Sequence, residues 1–214
     1  RRQRQMCIRD SNSIYLSGSG VAAASYGLPD LGVTTLENVL IDAKRITSAT
    51  SLPLLVDIDT GWGDFDAISN TIIEMGNANV AAVHIEDQIF DKRCGHRPNK
   101  QLVSIDEMQD RLKAALDAKI DDSFFIMART DALASEGIEK AIERCGKYLD
   151  VGADGIFFEA AVSIEEYKEF KNNFSAPLLA NITEFGKTPL FTQKELSDVG
   201  AVSYTHLRAH ETEA

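Results

Sequence analysis

Short apolar runs alternate with longer amphipathic segments along most of the chain, from about residue 14 to residue 202. The apolar runs are nearly continuous, which is typical of parallel strands that are buried on both faces. The pattern predicts six strands, at Ile14–Ser17, Leu54–Ile58, Val80–Ile85, Phe124–Ala128, Gly155–Phe158 and Pro177–Ile182, with Ala201-Val202 as a candidate start of a seventh.

The segments between these runs predict helices, because apolar residues recur there at helical spacing. One apolar stripe consists of Leu36, Val39, Leu40, Ala43 and Ile46. A second consists of Ile138, Ala141, Ile142, Cys145 and Leu149, so we expect Cys145 to lie in the core. Four capping-box patterns mark helix starts, at Thr34, Ser104, Ser163 and Thr192, each followed three residues later by a glutamate.

The strand starts are separated by roughly 22–44 residues, which is the spacing of repeated βα units. Two architectures fit this spacing, an open doubly wound sheet and a (β/α)8 barrel, and periodicity alone does not separate them. We predict an α/β fold of the TIM-barrel type, incomplete, with about six of its eight strands in native sequence. The preference for the barrel comes from the polar residues at the strand ends.

Nearly every predicted strand runs into residues that a hydrophobic core would exclude. In a parallel barrel these residues converge on the carboxyl-terminal face, where active sites of this fold lie. A single carboxylate there could cap a helix, but six strands that end in this way indicate one site. The polar residues are Ser17 to Gly20, Asp57 and Asp59, Glu86 and Asp87, Arg129 to Asp131, Glu159, and Asn181 to Thr183.

Asp57 and Asp59 are two residues apart on a predicted strand, so their side chains should point the same way. Together with Glu86 they form a cluster of hard oxygen ligands, which suits Mg²⁺. The alternative is that the aspartates cap the helix that follows Gly63.

Two other groups of residues each allow two interpretations, and a third allows one. The stretch Ser17-Gly18-Ser19-Gly20 is either a flexible turn or a loop whose amides and hydroxyls hold a carboxylate. Arg129 is either a bidentate ligand for a substrate carboxylate or the ion-pair partner of Glu159 or Asp131. Asn181 and Thr183 are candidate donors to a second carboxylate.

His84 lies inside an apolar run, and we interpret it as a core histidine whose hydrogen bonds are satisfied.

One stretch combines a thiol with a dense set of cations: Lys92-Arg93-Cys94-Gly95-His96-Arg97-Pro98-Asn99-Lys100. Neighbouring positive charge stabilises a thiolate, so we expect the pKa of Cys94 to be lowered. The same charges would attract a carboxylate substrate. The stretch lies within residues 88–103, a loop long enough to be a lid, a binding loop or a disordered segment. The simpler alternative is a solvated basic loop with an incidental cysteine.

This stretch resembles the signature loop of the 2-methylisocitrate lyases, which belong to the isocitrate lyase and phosphoenolpyruvate mutase superfamily. Isocitrate lyases share the K-x-C-G-H core but typically differ after the histidine, so Arg97 to Lys100 favour the methylisocitrate branch. The resemblance extends over residues 13–202. It implies a Mg²⁺-dependent cleavage of (2S,3R)-2-methylisocitrate to pyruvate and succinate, which is a step in propionate breakdown.

The resemblance also implies roles for individual residues. Cys94 is the catalytic acid on a closing loop, His96 its functional neighbour, Tyr15 a candidate base and Arg129 a stabiliser of the developing charge. Asp57 and Asp59 are the main Mg²⁺ ligands, with Glu86 nearby or joined through water. The substrate would contact Ser17, Gly18, Ser19, Asp30, Cys94, Gly95, Arg129, Glu159, Asn181, Ile182 and Thr183.

Composition limits the classes of partner. The 214 residues are 44% hydrophobic, which suits one domain with a sizeable core. The net charge of −11 argues against nucleic acid or an anionic membrane as a partner. No apolar run approaches the roughly 18–20 residues that span a bilayer, and no secretory signal is evident. The cysteines, Cys7, Cys94 and Cys145, are odd in number and lack metal-type spacing, which favours a reducing cytoplasm.

The two ends differ from the rest of the chain. Residues 1–11 are basic and lack an apolar period, and residues 203–214 interrupt a pattern that leads into a strand. Both ends resemble translated sequencing adapter, and the alternative is a pair of genuine disordered tails. We therefore predict a non-native head at 1–11, a partial catalytic barrel at 12–202 and a non-native tail at 203–214.

Several expectations stay open at this point. The family is tetrameric and places further substrate-binding arginines in a tail that this chain lacks, so the chain alone is expected to be unstable or inactive. The partner should be a small tricarboxylate, with a homotetramer as the full-length assembly. The alternatives are an isocitrate lyase or another superfamily member, and a catalytically inactive barrel that binds a dicarboxylate.

Overall fold

The computed structural model describes residues 12–95, 97–183 and 186–207. Seven strands form one sheet: β1 Ile14–Leu16, β2 Leu54–Asp57, β3 Ala82–Glu86, β4 Phe125–Thr130, β5 Gly155–Phe158, β6 Leu178–Thr183 and β7 Ser203–Leu207. The six predicted strands are confirmed, and their ends differ from the predicted ones by two residues or fewer.

Helical segments follow the strands. They are α1 Gly18–Gly20, the π-helical α2 Val21–Tyr26, α3 Leu36–Ala49, α4 Phe65–Asn77, α5 Ile105–Asp117, α6 Leu133–Glu136, α7 Ile138–Val151, α8 Ile164–Asn173 and α9 Gln193–Asp198. No helix in the described part of the chain is long and apolar enough to cross a membrane.

Three of the four predicted helix caps are correct. Ser104, Ser163 and Thr192 each accept a hydrogen bond from the backbone amide three residues on, and the last two form complete capping boxes. The prediction for α3 was wrong by one residue, because Thr35 is the cap and Asn38 is its partner. The Asn38 side chain accepts a hydrogen bond from the cap amide, as a glutamate would. A capping-box pattern that requires glutamate at this position does not include it.

The strands pair in chain order from β1 to β7, and every pair is parallel. A doubly wound sheet reverses direction at a switch point, and this order contains no reversal. The result is the curled, incomplete (β/α) barrel that the strand ends predicted. In the described part of the chain, β1 and β7 each pair on one side only.

The seventh strand begins at Ser203, one residue after the predicted candidate start. It pairs with β6 from Leu179↔Ser203 to Thr183↔Leu207. This strand lies within the segment that we predicted to be foreign, and the origin of that segment stays a prediction.

Two apolar layers hold the sheet. The larger one fills the space between the sheet and the helices, where Cys145 is completely buried as expected. The smaller one fills the inside of the curl with Met127, Phe157 and Leu179, against which Tyr15 and Leu55 pack. Because alternate residues of a strand face opposite sides, the inner layer shares its face with the polar residues at the strand ends.

Gly155 tests the tightness of this packing. A Cβ at Gly155 would lie 2.9 Å from a ring atom of Phe125 and 3.0 Å from the carbonyl oxygen of Pro177, which is backbone and cannot move aside. Gly155→Ala should therefore lower the free energy of unfolding by about 1–3 kcal/mol, as overpacked cores do. Urea unfolding monitored by circular dichroism measures this.

The matched control is Gly146→Ala in α7, where the added Cβ would make an ordinary contact at 3.4 Å with Phe174. Alanine stabilises a helix interior relative to glycine by up to about 1 kcal/mol. Equal effects of the two substitutions would show that the β5 interface is looser than the structure indicates.

Candidate active site at the carboxyl ends of the strands

The sheet register brings the polar strand ends together. Asp57 pairs with His84, Glu86 with Arg129, and Asn181 with Thr205. All of these side chains are buried. The expectation that the strand ends converge is therefore confirmed for β2, β3, β4 and β6.

Asp57 is fixed by two backbone amides. The Gly18 amide donates to its Oδ2 at 3.1 Å, and the Asp59 amide donates to its Oδ1 at 3.1 Å. Burial alone would raise the pKa of Asp57, but the charges of His84, Lys92 and Arg129 outweigh burial and lower the pKa to about 2. Asp57 is thus an anion throughout the physiological pH range.

Asp59 does not lie on the strand, which corrects our premise about it. Strand β2 ends at Asp57, and Asp59 adopts a left-handed backbone conformation with φ of 49°. Its Oδ1 reaches the site through this turn and lies 2.5 Å from the ammonium of Lys92. Burial raises the pKa of Asp59, and although Lys92 opposes this, the pKa rises to about 6.

Glu86 is the most deeply buried of the predicted metal ligands. Neither of its carboxylate oxygens has a hydrogen-bond partner, although the Arg129 guanidinium lies 3.2 Å from Oε2. Burial raises the pKa of Glu86 well above its usual range, against the lowering effect of Arg129. An unbonded buried carboxylate is costly unless a charge partner compensates it.

The surroundings of these three carboxylates fit a hydrated Mg²⁺. A Cβ at Gly18 would lie 3.1 Å from Asp57 Oδ2 and 3.3 Å from Asp59 Oδ1, so the missing side chain leaves space beside both. The described residues contain no cage of three or more such ligands that could hold a metal ion. Mg²⁺ needs no such cage, since it binds through one or two carboxylates and keeps several waters.

Tyr15 and His84 form a pair inside the curl. The Tyr15 hydroxyl lies 2.9 Å from Nε2 of His84, and His84 Nε2 lies 3.7 Å from Asp57 Oδ1. His84 is completely buried and its Nδ1 has no hydrogen-bond partner. The interpretation of His84 as a core histidine is therefore confirmed for its burial, but it was wrong in expecting both ring nitrogens to be hydrogen-bonded. Its two-residue spacing from Glu86 was the missed signal, because it puts both side chains on one face.

The glycine-rich stretch after β1 is an ordered helical turn. Ser17 caps it by accepting a hydrogen bond from the Gly20 amide at 3.4 Å, and the Ser17 and Ser19 hydroxyls lie 2.8 Å apart. The alternative of a flexible turn was therefore wrong. Binding of a substrate carboxylate by Ser17, Gly18 and Ser19 stays a prediction.

Arg129 forms the ion pair with Asp131 that the alternative interpretation described, and its role toward a substrate carboxylate stays a prediction. Its Nε and Nη2 contact the two oxygens of Asp131 at 2.9 and 3.3 Å, and its Nη2 lies 4.0 Å from Glu159. The guanidinium carbon is 5.1 Å from the centre of the Phe157 ring, a cation–π contact. Burial alone would lower the pKa of Arg129, but the surrounding carboxylates hold it well above its usual range.

The β6 residues divide between two faces. The Asn181 amide nitrogen lies 3.2 Å from Glu159 Oε2, and its oxygen accepts a hydrogen bond from the Thr205 hydroxyl. Thr183 shares the face of Asn181, whereas the Ile182 side chain belongs to the core between sheet and helices. The predicted contact of Ile182 with the substrate is therefore open only to its backbone, because its side chain faces the other way.

The two ends of the loop that carries Cys94 pair with each other in a short antiparallel ladder. Gln88 bridges to Leu102, and the Ile89 amide donates to the Gln101 carbonyl at 3.0 Å. The Gln88 side chain also holds Arg93 through hydrogen bonds of 2.8 and 3.0 Å. We call residues 88–103 the lid.

Two buried lysines connect the lid to the barrel. Lys92 lies 2.8 Å from Asp30 and 2.5 Å from Asp59, while Lys100 lies 2.7 Å from Asp131. Asp30, predicted to bind substrate, thus also holds the lid. These pairings were missed, and they neutralise part of the positive charge that we expected around the thiol.

Gly95 presses against the barrel. A Cβ at this position would overlap Glu159 and Arg129, so only glycine allows the lid to come this close. Cys94 is half-buried beside it. The lowered pKa of Cys94 stays a prediction, and His96 lies outside the described residues.

Comparison with known proteins agrees with this geometry. Residues 9–211 match the family model described as phosphoenolpyruvate phosphomutase. The chain is 61% identical over 189 residues to the 2-methylisocitrate lyase of Shewanella oneidensis, covering 88% of this chain and 65% of that protein. It is 56% identical over 193 residues to that of Vibrio cholerae, covering 87% of this chain and 63% of that protein. The chain therefore spans less than two thirds of the length of these relatives.

Solved structures share the fold. Oxaloacetate acetylhydrolase in complex with 3,3-difluorooxalacetate superimposes with a TM-score of 0.90 at 35% identity, over 95% of this chain and 70% of that chain. Phosphonopyruvate hydrolase, solved with oxalate and Mg²⁺, superimposes with a TM-score of 0.79 at 27% identity, over 97% of this chain and 71% of that chain.

The environment of His84 leads to a prediction about its titration. Burial is the largest cause that lowers the pKa of His84, from 6.5 to about 4, and the Asp57 charge only partly opposes it. The imidazole should stay neutral down to about pH 4 in ring-nitrogen NMR spectra of the metal-free protein. Because the unfolded chain takes up this proton first, His84 should reduce stability as the pH falls from about 6.5 to about 4.

Tyr15→Phe is the control, since it removes the hydroxyl but leaves the burial. In this variant the pKa of His84 should also stay well below its usual value of 6.5. A midpoint near 6.5 in the unmodified protein would contradict the buried position of the ring.

Proposed function

The chain belongs to the phosphoenolpyruvate phosphomutase family, and on that premise we propose that it is the catalytic part of a carbon–carbon lyase that cleaves (2S,3R)-2-methylisocitrate to pyruvate and succinate. One observation carries the proposal: the Cys94 lid lies against the carboxyl ends of the strands, beside Arg129 and Glu159. The names of the relatives with 56–61% identity support the choice of substrate.

The site brings three buried cations to the strand ends, where we propose that a tricarboxylate binds. Buried cations at Arg129, Lys92 and Lys100 lie among buried carboxylates at the strand ends. The residues that follow the lid histidine, Arg97 to Lys100, are those that resemble the methylisocitrate branch.

We propose Mg²⁺ as the cofactor, which Asp57 and Asp59 would hold, with Glu86 beside them. When bound, it would polarise the α-hydroxycarboxylate of the substrate and lower the pKa of the hydroxyl. The two Glu86 oxygens without a hydrogen-bond partner and the space beside Gly18 support this assignment. A superfamily member, phosphonopyruvate hydrolase, has been solved with Mg²⁺.

Tyr15 is our candidate for the base that takes the substrate hydroxyl proton. Burial raises the pKa of Tyr15, so its phenol carries its own proton at neutral pH. It can act as a base only if that proton moves on. The phenol oxygen lies 2.9 Å from Nε2 of His84, so this hydrogen bond is the contact through which that proton would leave.

Loss of the hydroxyl proton lets the bond between carbons 2 and 3 break. The hydroxyl-bearing carbon becomes the keto carbon of pyruvate, and the electron pair of the bond passes to a succinate enediolate. Arg129, Asn181 and Thr183 would stabilise that charge. The Cys94 thiol then gives its proton to the carbanionic carbon, which completes succinate. The lid excludes water from this step.

The wider assignments rest on the resemblance. We place the reaction in the 2-methylcitrate cycle of propionate breakdown, in the cytoplasm, with a small tricarboxylate as partner and neither nucleic acid nor a membrane. We propose a homotetramer as the assembly of the complete protein.

Two alternatives remain under test. An isocitrate lyase would use the same K-x-C-G-H core on a substrate without the methyl group. A barrel that binds a dicarboxylate without catalysis would keep the fold but not the turnover.

The deciding experiment supplies 2-methylisocitrate and isocitrate separately, with Mg²⁺, to this chain and to the complete protein encoded by the source DNA. Pyruvate from the first substrate, abolished by a chelator, is the expected result. Preferential glyoxylate from the second would identify an isocitrate lyase. No product, together with binding of succinate in calorimetry, would favour the binding protein.

Cys94→Ser tests the proton donor. A serine hydroxyl fills nearly the same space but is a much weaker acid, so kcat should fall by about 10²–10⁴-fold. Substrate affinity, measured by calorimetry, should stay within about threefold, because the charged ligands remain.

The matched control is Cys145→Ala, which removes a sulfur atom from the core. It should lower stability and leave kcat unchanged. Normal turnover in Cys94→Ser would remove this thiol from the mechanism.

A further inference from the structure

Asp131 joins two cations that come from different parts of the site. Its Oδ2 accepts a hydrogen bond from Arg129 Nε at 2.9 Å, and its Oδ1 accepts one from Lys100 Nζ at 2.7 Å. Its side chain is completely buried, and the Lys100 side chain is only 2% exposed. The same carboxylate therefore holds a barrel arginine and a lid lysine.

Lys100 carries this connection to the thiol loop. Its ammonium also donates to the carbonyl oxygen of Gly95 at 2.6 Å. Gly95 follows Cys94 directly, and it packs against Arg129 and Glu159 so closely that no Cβ would fit. The position of the loop backbone next to Cys94 thus depends on where Lys100 is held.

The backbone of Asp131 is held by a hydrogen-bond network centred on Asp87. Its backbone amide donates to Oδ1 of Asp87 at 2.9 Å, and the hydroxyls of Thr130 and Tyr148 donate to Asp87 Oδ2 at 2.7 and 2.9 Å. The carbonyl oxygen of Asp87 accepts the Val103 amide at 2.9 Å, at the end of the lid. This network leaves the Asp131 carboxylate little freedom to follow a moving partner.

The electrostatics make Asp131 necessary for Lys100. A buried ammonium without a counter-ion is strongly unfavourable, so removing one partner of a buried pair displaces the other. Burial alone would raise the pKa of Asp131, but Arg129 and Lys100 outweigh burial and keep the pKa below its usual range. The group is therefore a full anion under all conditions in which the enzyme would work.

We propose that Asp131 is a positioning residue that couples closure of the lid to the orientation of Arg129. When Lys100 reaches Asp131, it brings the Gly95 carbonyl and the adjacent Cys94 onto the barrel, where the same carboxylate already aligns Arg129. Asp131 need not touch the substrate. This inference rests on the proposed function, because closure of the lid serves catalysis only if the site is catalytic. Its test does not require turnover.

Asp131→Asn tests the coupling, because it keeps the shape and removes the charge. Lys100 should then leave the interior for water, and the lid should open. Limited trypsin digestion should cleave after Arg93 at least about tenfold faster than in the unmodified protein, since a buried pair has been broken. Alkylation of Cys94 by iodoacetamide, followed by peptide mass analysis, should accelerate in parallel.

The lysine variants show whether the charge or the bulk of the pair matters. Lys100→Gln should open the lid as Asp131→Asn does, and the double variant should open it no further. Lys100→Arg, which keeps the cation, should restore most of the protection of the lid. These four results together identify the ion pair as the closing contact.

Two controls separate lid opening from general loss of structure. Alkylation of the completely buried Cys145 reports global unfolding in the same sample. Lys113→Gln removes a lysine whose pair with Asp110 is exposed, and it should leave cleavage of the lid unchanged.

Unchanged cleavage of the lid in a folded Asp131→Asn protein would overturn the proposal. If that variant does not fold, Lys100→Gln decides, and a protected lid there would overturn it equally. A lid that opens as expected in a protein without lyase activity would leave the coupling intact and refute the proposed function instead.

Discussion

The site is governed by the need to neutralise many charges in one buried volume. Carboxylates from the ends of β2 to β5 converge where water is largely excluded, and the unpaired burial of such groups is strongly unfavourable. Arg129 compensates part of this charge from within the barrel, and Lys92 and Lys100 compensate a further part from the lid. The lid is therefore held closed by charge pairing at two points, in addition to any contact with substrate.

The same requirement connects the fold to the chemistry. A parallel sheet with its strands in chain order directs every carboxyl end to one rim, so the fold collects charges there without any special loop geometry. The inner apolar layer of Met127, Phe157 and Leu179 lies beneath those charges. It strengthens each electrostatic contact above it, because the local dielectric is low.

Much of this arrangement could be predicted from the sequence, and the part that could not has a physical cause. Apolar periodicity is a local signal, so the six strands and the polar residue at each strand end were predictable. Ion pairs are non-local: Lys92 and Asp30 are separated by 62 residues, and Lys100 and Asp131 by 31. The folded positions of the loops relative to the barrel decide which of the many charged residues meet, and no local pattern records those positions. Asp59 was misassigned to the strand, because no local sequence pattern predicts a left-handed turn at this aspartate.

That turn has a consequence for how the protein would respond to selection for heat resistance. An aspartate with φ of 49° is held in a conformation that costs about 1 kcal/mol and that glycine adopts freely. Replacing it by glycine would relieve the backbone, but it would also remove one of the two carboxylates that pair with the buried ammonium of Lys92. A buried cation that loses a partner is unfavourable, so the two effects on stability oppose each other. Selection for heat resistance would therefore gain little at this position, because the strained turn is compensated by the charge pair that it makes possible.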